Sequence, residues 1–180
     1  ALVPNEKGMT LALQTPIEEV AVFGACSEGF SKHNINCTIA ESFERFRVVI
    51  KMAKAKKIRV RGYLSTAFGC PYDGHVEPSV VAKLSREMLN LGVYEVSIGD
   101  TIGVATPKQV KGMLKLLKRV APLKKFSMHF HDTRGTALAN VAASIDSGVT
   151  TFDSSLGGVG GCPYAKGASG NVATEDVAYL

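Results

Sequence analysis

The sequence contains no CxxC pair, and its four cysteines, Cys26, Cys37, Cys70 and Cys162, are scattered along the chain. With 180 residues and 46% hydrophobic content it can bury a real core without disulfide staples, and a reducing compartment fits this usage. No apolar run approaches the roughly 20 residues of a membrane-spanning helix. The N-terminus also lacks the charged-then-apolar pattern of a secretory signal, so no membrane partner is expected. Aromatic residues make up only 7% and are not interleaved with the basic ones, which argues against a nucleic-acid surface despite a net charge of +5. The lysines crowd at Lys51 to Lys57 and Lys115 to Lys125, either as a solvated face or as an attraction for a polyanionic small ligand.

Phosphate-binding loops are missing too. A dinucleotide fingerprint begun at Gly158 meets Pro163 at its last position. A P-loop begun at Gly161 fails because Lys166 precedes Gly167 and no Lys-Ser/Thr pair follows. What the region does hold is a glycine-rich stretch from Ser154 to Asn171, with Gly157, Gly158, Gly160, Gly161, Gly167 and Gly170 in it and Gly148 just before it. Such a segment reads as a loop able to move, and Cys162 sits in its middle. A structural cysteine prefers a packed apolar position, whereas a chemical one needs access.

Helical and alternating patterns take turns along the rest of the chain. Ala1 to Asn5 reads as the tail of a strand and Lys7 to Gln14 as a short helix. Strands are expected at Glu18–Ala25, Ile58–Ser65, Val93–Gly99, Phe126–His131 and Val149–Ser154. Thr38 and Glu41 form a capping box ahead of a helix with Ile39, Phe43, Phe46, Ile50 and Ala53 at helical spacing. Pro78 opens a second helix, striped by Val81, Leu84, Met88 and Leu91 and stopped by Gly92. Thr106 caps a third, with Val110, Met113, Leu114 and Leu117 inward. Ala137 to Ser147 is a fourth, stopped by Gly148, and Thr174 with Glu175 and Asp176 starts another. Strand–helix alternation predicts a parallel sheet, with a spacing close to the roughly 31 residues per unit of an eight-stranded β/α barrel. Five strands and a sixth at the very start make an incomplete (β/α)8 barrel of about six units, one domain over residues 1–180.

Polar and reactive residues gather just after the strands: Asp100, His129, His131, Asp153 and Cys162. Positions two apart on a strand share a face, so His129 and His131 point together and Met128 and Phe130 the other way. Two such imidazoles can share one metal ion, or be strand-end histidines bonded to neighbours. Asp132 reads as the cap of the next helix or a partner orienting a ring. Asp100 reads as a base or a holder of metal-bound water, or as an Asx turn into its loop. Gly-Cys-Pro-Tyr occurs twice, at Gly69–Tyr72 and Gly161–Tyr164, with Cys70 the better candidate for a packed thiol.

Taken together, these residues resemble the 3-hydroxy-3-methylglutaryl-CoA lyase family, within the metal-dependent barrel enzymes that make or break carbon–carbon bonds beside an enolate. Cys162 to Asn171, with Gly160-Gly161 before and Ala173-Thr174-Glu175-Asp176 after, is similar to the family's signature loop. Ser97 to Gly103, His129-x-His131-Asp132-Thr133, Phe23-Gly24-Ala25, Asn34-Ile35-Asn36-Cys37 and Gly69 to Tyr72 extend the similarity over nearly the whole chain. The resemblance implies that His129, His131 and Asn171 ligate Mg²⁺ or Mn²⁺. It implies that Asp100 is a catalytic carboxylate and Cys162 the loop thiol that acts as acid on the nascent acetyl-CoA carbanion. The family's first-strand Arg-Asp-Gly stretch has no counterpart here, so the first two strands are expected to lie outside these residues.

Cleaving a tertiary alkoxide beside a thioester needs a base for the hydroxyl proton, a cation for the hydroxyl and carboxyl oxygens, and an acid for the enolate. Two imidazoles with oxygen donors also suit Zn²⁺, but hard, oxygen-rich ligation favours Mg²⁺ or Mn²⁺. The expected activity is cleavage of 3-hydroxy-3-methylglutaryl-CoA to acetyl-CoA and acetoacetate. The full-length protein would be a homodimer, in the cytoplasm or, behind a targeting peptide, in the mitochondrial matrix. The rivals are a Claisen condensation of the isopropylmalate synthase type and an inactive barrel kept as an interaction module.

Overall fold

Five parallel strands lie side by side in chain order: β1 (Glu19–Ala25), β2 (Arg59–Ser65), β3 (Glu95–Asp100), β4 (Phe126–Phe130) and β5 (Phe152–Asp153). The computed structural model that shows them describes residues 1–161 and 170–180. The helices are α1 (Glu6–Ala12), α2 (Glu28–Ile35), α3 (Ile39–Ala55), α4 (Pro78–Leu91), α5 (Pro107–Leu117), α6 (Ala137–Ser147) and α7 (Thr174–Tyr179). Every crossover advances the sheet by one strand in the same direction. A doubly wound sheet would reverse its order at a switch point and carry helices on both faces. Here the order never reverses, and the arc is that of a β/α barrel.

Local chemistry explains where the helices begin and end. Thr38 and Thr106 each accept the N–H three residues on and are repaid through Glu41 and Gln109, closing two capping boxes. Gly92 and Gly148 stop α4 and α6 at φ 105° and 100°, a conformation that a side chain disfavours. One helix escaped the pattern reading. In α2 only Phe30 and Ser31 are buried, so its sequence shows no apolar stripe.

The first expected strand is reduced to a single bridge between Leu2 and Ala21, with two backbone bonds of 2.8 Å. Pro4 offers no N–H, and Asn5 turns the chain away by capping α1 through the Gly8 N–H. The last strand is two residues long rather than the expected six. Val149 bonds back to the end of α6, and the ladder to β4 forms at Phe152 and Asp153.

One face of the sheet is the core. Val20, Val22, Val60, Leu64, Val96, Ile98, Met128 and Phe130 are all buried beneath the helices, each contributing roughly 1.5–3 kcal/mol. Met88 of α4 is fully buried against the sheet. Its Cε lies 3.4 Å from where a Cβ on Gly24 would stand, and its Sδ 2.5 Å from one on Gly62. Glycine on two adjacent strands thus makes the groove that this side chain fills. The alternate residues, from Tyr63 to His129, face the concave side, where the polar groups collect.

Candidate active site

The concave face is built around Arg61 of β2. Its Nε donates to Glu95 Oε1 at 2.8 Å, and its Nη1 to Asp153 Oδ1 and to the Tyr63 hydroxyl at 2.6 Å each. Its Nη2 donates to Ser127 Oγ. Ser97 Oγ adds a 2.7 Å bond to Asp153 Oδ2. Register explains the meeting: Arg61 pairs with Glu95, Ser97 with Ser127, and His129 with Asp153, all on one face of adjacent strands. Burial alone would raise the Asp153 carboxyl, but His129, Arg61 and Ser97 around it hold it down at about 2. Burial likewise opposes the charge of Arg61, and the hydrogen bond and charge of Asp153, with Tyr63 and Glu95, outweigh it.

Above this network, at the carboxyl ends of the strands, lies a cavity of about 250 Å³. His129 and His131 both line it, as their spacing requires, with ring centroids 5.3 Å apart. Met128 and Phe130 point into the core. Asn171 joins them because its backbone bridges His131, with Val172 N–H donating to Phe130 O and Asp132 N–H to Gly170 O. The side-chain amide of Asn171 is pinned: Nδ2 donates to Val159 O at 3.1 Å and Gly160 O at 3.2 Å. Phe30 and Asn34 of α2 close one wall, Thr101 and Gly160 others.

Among the described residues, three buried polar atoms here have no hydrogen-bond partner: His129 Nδ1, His131 Nδ1 and Asn171 Oδ1. His129 Nδ1 comes to 3.4 Å from Asp153 Oδ2, outside hydrogen-bond geometry. Burial, and then the charge of neighbouring His129, lowers His131 to about 4, so its ring is neutral at physiological pH. Neutral imidazoles and a fixed carbonyl oxygen are the donors a divalent cation accepts. Among the described residues no three or more His, Cys, Asp or Glu side chains converge as a complete metal cluster. The set therefore fits as part of a coordination shell, two nitrogens and one neutral oxygen.

Asp100 is not among the residues that line the cavity, although its neighbours Gly99 and Thr101 are and the charge of His129 acts on its carboxyl. It pairs in register with Phe130, and its neighbour Gly99 with His129, so its side chain leaves the helix-facing side of β3. Its two oxygens accept from Val104 N at 2.9 Å and Ala105 N at 3.0 Å, and it does not line the cavity. Burial pushes its carboxyl up, against those two backbone bonds. The turn it holds delivers Thr101 to the wall, where Thr101 Oγ1 accepts from Thr66 N at 2.7 Å. Thr66 sits at φ 60°, a strained setting for a β-branched residue.

Asp132 caps α6 by accepting from Ala137 N, and Cys70 is packed, its Sγ accepting the N–H groups of Tyr72 and Asp73. Cys26 and Cys37 are free and buried like Cys70. Cys162 lies outside the described residues. Arg61, Tyr63, Ser97, Ser127 and Glu95 were invisible to motif reading, since they join only across strands. The one available signal was a charge on the face alternate to the apolar one, Arg61 in β2 and Glu95 in β3.

Fold and site together define a β/α barrel whose functional groups gather at the carboxyl ends of its strands. The chain belongs to the HMGL-like family, whose model matches residues 1–180. A Pseudomonas aeruginosa protein named 3-hydroxy-3-isohexenylglutaryl-CoA/hydroxy-methylglutaryl-CoA lyase is 53% identical over 180 residues, 100% of this chain and 60% of that protein. A solved hydroxymethylglutaryl-CoA lyase from the same organism superposes with a TM-score of 0.96 at 53% identity, covering 100% of this chain and 60% of that one. The human mitochondrial hydroxymethylglutaryl-CoA lyase is 50% identical over 179 residues, 99% of this chain and 55% of the relative. An Acinetobacter baumannii HMG-CoA lyase solved with coenzyme A and 3-methylmalate matches at 36% identity and a TM-score of 0.94, over 98% of this chain and 58% of that one. The chain thus spans somewhat over half the length of these relatives.

Proposed function

We propose that this chain carries the metal-binding and loop-borne part of a hydroxymethylglutaryl-CoA lyase, which cleaves 3-hydroxy-3-methylglutaryl-CoA to acetyl-CoA and acetoacetate. The observation that supports it most is the convergence of His129, His131 and Asn171 on one cavity, where His131 Nδ1 and Asn171 Oδ1 are buried without a hydrogen-bond partner among the described residues. Identity of 50% or more to lyases, without a condensing enzyme of comparable identity among the relatives reported above, favours cleavage over condensation. A CoA thioester is the substrate class, in keeping with the coenzyme A bound by the Acinetobacter relative.

His129, His131 and Asn171 would hold Mg²⁺ or Mn²⁺, which when bound supplies Lewis-acid polarisation of the substrate's hydroxyl and carboxyl oxygens. The neutral His131 ring keeps its lone pair available at physiological pH. Asp100 serves by holding the turn from Asp100 to Ala105, which sets Thr101 against the cavity. Cys162 is the thiol that returns a proton to the carbanion of the departing acetyl-CoA. Its place nine residues before Asn171 ties it to the loop whose end the structure fixes beside His131. The complete protein would act as a homodimer, which light scattering behind a sizing column tests. Its compartment, cytoplasm or mitochondrial matrix, is read by fractionation.

Acetoacetate release from 3-hydroxy-3-methylglutaryl-CoA, assayed in the full-length protein with added Mg²⁺ or Mn²⁺, tests the reading. Cys162→Ser should lose several orders of magnitude in turnover while still binding cation and substrate, because the exchange removes acidity at nearly constant size. A wild-type protein without cleavage activity, or a Cys162→Ser variant with ordinary turnover, refutes it.

A further inference from the structure

Arg61 makes four side-chain hydrogen bonds on the concave face, yet it touches none of the groups assigned to the chemistry above. Its reach is long in sequence: the bond to Asp153 joins residues 92 apart and crosses from β2 to β5 over two intervening strands. Both Arg61 and Asp153 are largely withdrawn from water, with side chains 11% and 18% exposed. One oxygen of Asp153 is taken by Arg61 Nη1; the other accepts from Ser97 Oγ and faces His129 Nδ1 at 3.4 Å.

An imidazole carries its single neutral-state proton on either nitrogen, and what the buried nitrogen faces decides which. His129 Nδ1 is buried, and an anionic carboxylate oxygen faces it. A bare lone pair there would oppose a negative charge, whereas an N–H would meet an acceptor. We propose that Arg61 is a positioning residue for His129: by fixing Asp153, together with Ser97, it keeps the imidazole proton on Nδ1 and leaves the Nε2 lone pair for the cavity. The 3.4 Å contact is an open form of that hydrogen bond, and such contacts tighten when a site fills. Glu95 completes the device by balancing Arg61 with a second carboxylate at 2.8 Å, so that Asp153 is gripped without losing its anionic character. The inference rests on the lyase reading only for what Nε2 goes on to bind.

Tautomer is measurable without cation or substrate. Long-range ¹H–¹⁵N spectra of the imidazoles in the metal-free full-length protein, assigned with His129→Gln, should show His129 with a pyrrole-type Nδ1 and a pyridine-type Nε2. Asp153→Asn places an amide donor where the acceptor stood. The same exchange elsewhere forces the wrong tautomer on a carboxylate-oriented histidine. It should move the proton to Nε2 and weaken Mn²⁺ binding, read by calorimetry, by roughly 10- to 100-fold. Arg61→Lys keeps the charge but has one point of attachment, and should give a mixture of tautomers with a smaller loss. Ser97→Ala removes one hydrogen bond without stranding a charge; it carries the test if the charge variants do not fold, with an expected loss of roughly 2- to 10-fold. Folded variants that keep the wild-type tautomer and bind Mn²⁺ within about 2-fold of wild type overturn the proposal. The tautomer change without any thioester cleavage keeps this inference and removes the lyase reading; cleavage with an unmoved tautomer does the reverse.

Discussion

Asn171 has two jobs on one side chain, and exchanging it for aspartate separates them. Its Nδ2 holds Val159 O and Gly160 O at 3.1 and 3.2 Å, while its Oδ1 is buried with no hydrogen-bond partner among the described residues, and Asn171 lines the cavity. Two neutral hydrogen bonds at about 0.5–1.5 kcal/mol each put the hold on residues 159–160 at about 1–3 kcal/mol. Gly160 is close-fitted to that amide: at φ 107°, a Cβ on it would stand 2.9 Å from Nδ2. Asn171→Asp keeps an oxygen for the cation and adds charge, but turns a second oxygen on the two carbonyls. Mn²⁺ affinity measured by calorimetry should therefore stay equal to wild type or rise. Turnover, measured as acetoacetate release, should fall about 5- to 150-fold if the full hold is needed at the transition state. Asn171→Ala loses both functions and should also weaken Mn²⁺ roughly tenfold. Wild-type turnover in Asn171→Asp would show that the hold on residues 159–160 is irrelevant, and unchanged Mn²⁺ affinity in Asn171→Ala would remove the ligand role.

Gly62→Ala should cost about 1–3 kcal/mol, because its methyl would meet Met88 Sδ at 2.5 Å. In a Met88→Ala background the same change should turn neutral or stabilising, since strand glycine is itself unfavourable by about 0.5–1 kcal/mol. Urea midpoints of the four chains decide, and an equal cost in both backgrounds contradicts the packing. For Asp100, whose folded carboxyl is raised above the usual 3.8 chiefly by burial, the folded state holds its proton to higher pH than the unfolded chain. Its share of stability is therefore fully present below about 3.8 and is lost as pH rises through the raised value. The unfolding free energy of wild type minus that of Asp100→Asn should shrink as pH climbs through that window; a difference that grows contradicts the burial.

What could be read from the chain depended on how far apart the cooperating residues stand. The capping box at Thr38, the cap at Thr106, and the glycine stops at Gly92 and Gly148 are local events and were legible, although the Gln109 half of the Thr106 box was not read. So was the shared face of His129 and His131, which follows from strand parity alone. Asp100 shows the boundary. Its position at a strand end was readable, but which side it takes relative to His129 depends on the stagger between β3 and β4, which no local pattern encodes. Arg61 and Asp153 needed the order of four strands before they could be seen as neighbours. Helix α2 was missed because Gly29 and its polar neighbours leave no periodicity, although Phe30 and Asn34 help enclose the cavity. The family resemblance supplied Asn171, which by itself is a residue any turn would carry.

The brevity of β5 bears on timing as well as architecture. Seven register pairs join β1 to β2, but only two join β4 to β5. The four and five pairs of β2–β3 and β3–β4 also exceed that number, so the margin bearing Asp153, Ser155 and Asn171 is held by a shorter ladder, supplemented by the single bridges His131–Asn171 and Ser155–Ala173. Local opening there need not await unfolding of the core, and backbone amides of Ser155 and Val172 should exchange with deuterium well before those of β2 and β3. A ligand that recognises only the closed margin would draw its affinity partly from shutting it. Its apparent dissociation constant is the intrinsic one divided by the closed fraction. Substitutions that stiffen this margin would then tighten binding without touching the ligand.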